Sequence, residues 1–123
     1  MKMYTSQPSL LNRTAVTIVP RQPYADWANS IDDNWPKYDL ADPDNEYSVY
    51  LIDETGDNIA ARRIVQRRCA DIFEHELAAW CGNEDLWPLK RAWRTFKQWF
   101  EVQINSMVID LGKRPLQIEE FDE

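Results

Sequence analysis

The stretch from Asn58 to Cys81 contains neither glycine nor proline, and its apolar residues recur at helical spacing. The spacing predicts one long helix, capped by Asp57 or Asn58 and closed by Gly82 in the left-handed conformation that commonly follows a helix C-terminus. At 100° per residue, Val65, Cys69, Ile72, Phe73, Leu77 and Trp80 fall in one arc, with Arg63, Arg67, Asp71 and Glu74 opposite. So long an amphipathic helix must bury its stripe, and the flanking sequence supplies a sheet for it to lie on.

Thr14 to Val19 is rich in β-branched residues and ends at Pro20, which reads as a first strand. Pro23 suits the first turn of a short helix over about 23–31, which carries Tyr24, Trp27, Ala28 and Ile31 at helical spacing. Ser48 to Ile52 reads as a buried second strand. A third helix is expected to begin near Pro88, with Leu89, Ala92, Trp93, Phe96, Trp99 and Phe100 on one face and Lys90, Arg91, Arg94 and Lys97 on the other. The last strand is expected at about 101–111; its apolar side changes near Ser106, which suggests a bulge or burial on both faces. The expected fold is α+β: a small three-stranded sheet packed by helices in the order β-α-β-α-α-β. It occupies residues 12–111 as a single domain, with flexible termini at 1–11 and 112–123.

The 123-residue length suits one continuous core, and the composition, 44% hydrophobic and 12% aromatic, is too apolar for a disordered chain. No apolar run approaches the ~18 residues that cross a bilayer, and the N-terminal residues do not resemble a signal peptide. Cys69 and Cys81 stand about 18 Å apart along one helix, too far for a disulfide, so two free thiols and a cytoplasmic location are expected.

The blocks N-R-T-A-V-T-I-V-P-R-Q-P-Y-A-D-W, V-Y-L-I-D-E, F-E-H-E-L-A-A-W, L-W-P and F-K-Q-W-F-E-V-Q-I-N-S-M-V-I-D-L resemble a family of small acidic bacterial proteins of unknown function. The resemblance spans roughly Asn12 to Leu111. It implies a bacterial cytoplasmic protein and transfers no activity and no site residue.

The chemistry is narrowed by exclusion. Gly56, Gly82 and Gly112 are the only glycines, so neither a dinucleotide fingerprint nor a Gly-rich phosphate loop is present. There is no G-x-S-x-G elbow, and His75 is the only histidine. Asp71 and His75, one turn apart, are two ligands and not a metal site, and they read as a surface ion pair. No catalytic residue, metal or cofactor is assigned.

Charge and tryptophan placement carry the remaining expectations. Residues 26–57 hold ten acids against Lys37 alone, whereas 62–97 hold eight Lys and Arg against five acids. The expected function is a non-enzymatic interaction module. Its acidic loop, 32–46, or its basic third helix, through Arg91, Arg94 and Lys97, would dock a protein partner or a second copy. The acidic segment Asp39–Glu46 is expected near Arg91, Arg94 or Lys97. A net charge of −7 argues against general nucleic-acid binding. Of the six tryptophans, Trp27, Trp80, Trp93 and Trp99 fit core faces, while Trp35 and Trp87, each before a proline, are candidates for a binding surface.

The alternative is a small carboxylate-dependent enzyme that holds an anionic substrate on the basic face. Glu76 draws notice under either reading, because the wheel places it near the middle of the apolar stripe. A buried carboxylate needs donors. The expected ones are a tryptophan indole, a backbone amide of the first strand, or Arg13 or Arg21.

Overall fold

The computed structural model describes residues 8–31 and 37–121. A β-branched run places strand β2 (Arg13–Pro20) at the centre of a three-stranded antiparallel sheet, ordered β3-β2-β4, with β3 at Ser48–Asp53 and β4 at Phe100–Asn105. Register brings Val16 opposite Tyr50 and Ile104, and Ile18 opposite Ser48 and Val102. Thr14, Val16 and Ile18 point to the buried face, and Ala15, Thr17 and Val19 to the other. A separate two-stranded ribbon joins β1 (Ser9–Leu10) to β5 (Ile109–Asp110).

Helix α1 (Gln22–Ile31) and the long helix α2 (Asn58–Trp80) flank β3 in sequence. Asp57 caps α2, its carboxylate accepting from the Ala60 amide at 2.7 Å. The buried residues of α2 are Ala61, Val65, Cys69, Ile72, Phe73, Glu76 and Leu77, which is the expected stripe with Trp80 left at its margin. The stripe packs with Val16, Ile18, Tyr24, Ala28, Phe96 and Phe100 into one core. Phe73 meets Phe96, Trp99 and Phe100 at ring centroids between 5.2 and 5.8 Å. The helices and the sheet of three antiparallel strands make this an α+β fold, and no helix among the described residues is long and apolar enough to cross a membrane.

Four local expectations are corrected. Gly82 does not adopt the left-handed conformation; α2 ends instead at an extended Cys81, whose amide donates to the Leu77 carbonyl. The third helix, α3, spans only Trp93–Trp99. A 3-10 turn at Glu84–Leu86 and an irregular run precede it, and Trp87, lying before Pro88, is extended as that position favours. Leu89, expected on the apolar face of this helix, is 95% exposed. The expected last strand divides into β4 and β5, so the change of apolar side near Ser106 marks the end of one sheet and passage to the ribbon. Finally, β3 is not buried on both sides: helices cover one face, which leaves Val49 and Leu51 56% and 52% exposed.

Three indoles fasten the helix ends. Trp80 Nε1 donates to the Ala28 carbonyl, one of the last four of α1 that have no partner within the helix. Trp27 Nε1 donates to the Leu86 carbonyl, and Trp87 Nε1 to that of Cys81.

Candidate functional site

Glu76 lies on the buried face of α2 with 7% of its surface exposed. Its donor is none of those expected from sequence. Tyr50, which β3 aims at the helix layer, donates its hydroxyl to Glu76 Oε2 at 2.6 Å. The same hydroxyl lies 2.8 Å from His75 Nδ1. A phenol has one hydrogen and offers it to the carboxylate, so its oxygen accepts from His75, which fixes the proton on Nδ1. Tyr24 donates to the backbone carbonyl of Glu76 at 3.0 Å.

The result is a chain of hydrogen bonds from a buried carboxylate through a phenol to a half-exposed imidazole. Burial, then the hydrogen bond to Glu76, push the Tyr50 phenol well above its ordinary value near 10. Burial and the neighbouring Glu76 charge raise Tyr24 as well. Both hydroxyls therefore stay protonated donors at neutral pH. The ring of Phe121 lies 5.8 Å from that of His75. The surface pair expected between Asp71 and His75 does not form, because Asp71 takes Arg68 at 3.1 Å.

A second constellation is built on the opposite edge of the sheet. Arg21, at the β2–α1 junction, Arg62 on α2 and Lys97 on α3 line a cleft of about 240 Å³ with Trp93, Phe100, Glu101 and Val102. Three cations and one carboxylate give its lining a net positive charge. Arg21, Arg62 and Lys97 make no ion pair among the described residues. Lys97 Nζ stands 5.6 Å from the Trp93 ring centroid, and that ring stacks on Phe96.

The residues singled out by sequence are thus divided. Lys97 joins the cleft, and Arg94 is exposed on α3. Arg91 precedes α3, donates to the Pro88 carbonyl and sits 3.8 Å from Glu74. The guanidinium of Arg91 lies over Trp87, whose own N–H is already taken, so Trp87 anchors a loop. Trp35 and part of the acidic loop, 32–36, lie outside the described residues. The expected pairing of Asp39–Glu46 with Arg91, Arg94 or Lys97 does not form within the described chain. Asp39 and Asp42 instead accept from the amides of Ala41 and Asp44, closing their own turns. Sequence does not single out Arg62 or Tyr50, and Arg21, expected near Glu76, lies in the basic cleft instead, since only tertiary packing brings these residues to their neighbours.

No family model, no curated protein and no solved structure matches the chain. The resemblance to small acidic bacterial proteins therefore rests on the quoted sequence blocks alone.

Proposed function

We propose that this protein is a non-catalytic, cytoplasmic binding module that takes an acidic segment of a protein partner into the cleft between α2, α3 and β4. The observation that carries the reading is the convergence of Arg21, Arg62 and Lys97, from three separate parts of the chain, on one cleft with no acid among the described residues paired to any of them. Structural ion pairs would leave no such excess, and a chain with net charge −7 has many acids with which to make them. About 240 Å³ suits one or two acidic side chains and is below the range usual for drug-sized ligands. Trp93 and Val102 add apolar contact beside the charged groups of the lining.

The enzyme reading retains one observation in its favour, the Glu76–Tyr50–His75 chain, which has the groups for acid–base work. However, neither described cleft is lined by any of these three residues.

Calorimetric titration with an Asp- and Glu-rich peptide tests the binding reading. Binding is expected to weaken steeply with salt. Arg62→Glu combined with Lys97→Glu should reduce affinity by about 100-fold, whereas Arg94→Glu should change it little. Equal loss in both variants, or no heat with the parent protein, defeats it.

A further inference from the structure

The free edge of β3 is unguarded. Sheet edges are ordinarily blunted by Lys, Pro, a bulge or a covering element, and Ser48-Val49-Tyr50-Leu51-Ile52-Asp53 has none of the first two and pairs in unbroken register with β2 alone. Beside it runs a cleft of about 370 Å³, lined by Leu51, Ile52 and Asp53 from the strand and by Ile64, Arg67 and Arg68 from α2. Arg67 has no acidic partner among the described residues.

The C-terminal segment matches this edge in direction, reach and chemistry. It leaves β5, whose partner β1 is two residues from Arg13, and Arg13 pairs with Asp53 at the far end of β3. The segment ends at Phe121 against His75, which itself holds Tyr50. The segment therefore runs opposite in sense to β3, as an antiparallel neighbour must. An extended chain advances about 3.3 Å per residue and a helix about 1.5 Å. Counted back from Phe121 beside His75, Leu116 falls level with Ile64, and Glu119 within a turn of Arg68. Yet Leu116 and Ile118 are 67% and 87% exposed, although they alternate with Gln117 and Glu119 in the pattern of a half-buried strand.

We propose that residues 116–120 of this chain dock in cis on the β3 edge as a fourth strand, β-augmentation by its own segment. Strand alternation keeps Glu119 on the helix side with Phe121, where it meets Arg67 and Arg68, and turns Leu116 and Ile118 to the outer face beside bare Leu51. Phe121 on His75 is the hinge contact from which the strap closes. Closure hides the β3 edge from strand addition by another chain, so the strap governs a docking surface distinct from the basic cleft.

Residue-resolved hydrogen exchange on the full chain tests this, compared with deletion of 113–123 and with the double substitution Leu116→Asp, Ile118→Asp. Both changes are expected to speed exchange of the β3 amides that point away from β2 by about tenfold or more, while β2 and β4 amides hold. Arg68→Glu should do the same in part, and Glu119→Arg should restore protection in that background. Equal β3 exchange in all proteins overturns the proposal. So does protection that grows with protein concentration alongside a dimer in sedimentation, which would place the strap on a second copy.

Discussion

The two edges of the sheet treat polar groups in opposite ways. Along β4 the outward residues are Glu101, Gln103 and Asn105, all polar and exposed, and the neighbouring cations make no ion pair among the described residues. Along β3 the outward residues include bare Val49 and Leu51, while the charge beneath, Glu76, is hydrogen-bonded by Tyr50. An unpaired cation costs little in water, whereas an unpaired buried carboxylate costs several kcal/mol, on the order of 3–5 when a partner is removed. The β3 side is thus constrained by stability, and the β4 side is not.

The contrast breaks most sharply at Tyr50. Tyr50→Phe keeps the ring and strips Glu76 Oε2 of its donor, so unfolding by denaturant should show a loss of about 2 kcal/mol. His75 Nδ1, 3.8 Å from the same oxygen, is placed to recover a part of it. A loss under about 0.5 kcal/mol would mean the carboxylate draws its stability from elsewhere.

A smaller effect is expected in alkali. The phenols of Tyr50 and Tyr24 are raised in the folded state, so the native protein holds these protons more tightly than the unfolded chain. Stability from them is complete below the ordinary phenol value near 10 and is lost as pH climbs from there toward the raised values. Denaturation midpoints should therefore fall above pH 10, and less steeply in Tyr50→Phe. A midpoint that is flat from pH 9 to 11 would contradict the burial of both hydroxyls.

The smallest stability change belongs to the other edge. Arg62→Ala should alter unfolding free energy by no more than about 0.5 kcal/mol, because an exposed charge without an ion pair contributes little, and Lys97→Ala, which also loses the contact with the Trp93 ring, by no more than about 1 kcal/mol. A loss beyond 1 kcal/mol would make the cleft a structural feature and remove the sharpest difference between the edges.

How far the sequence reveals this depends on the range of the interaction concerned. The stripe of α2, the Asp57 cap and the place of Glu76 within the stripe follow from local periodicity, which a 23-residue helix repeats often enough to be unambiguous. Strands β2 and β3 are marked by their β-branched and apolar runs. The start of α3 is not, because residues 83–92 are held irregular by contacts such as Trp87 on Cys81, and the 7-residue helix has too few turns for a period. The donor to Glu76 was illegible for a related reason: Tyr50 and Glu76 are 26 positions apart and meet only through the register of β3 under α2. Likewise, no local signal says that Asp39 and Asp42 will close their own turns and not reach the basic helix.

The indole bonds have an optical consequence. Trp27, Trp80 and Trp87 each give their N–H to a main-chain carbonyl at a different joint: α1 with the 84–86 turn, α2 with α1, and the loop with the end of α2. Indole emission moves to longer wavelength when the ring and its N–H gain mobile water. Loosening of any one joint would therefore colour the emission before the strands separate, giving this chain intrinsic lamps at its hinges.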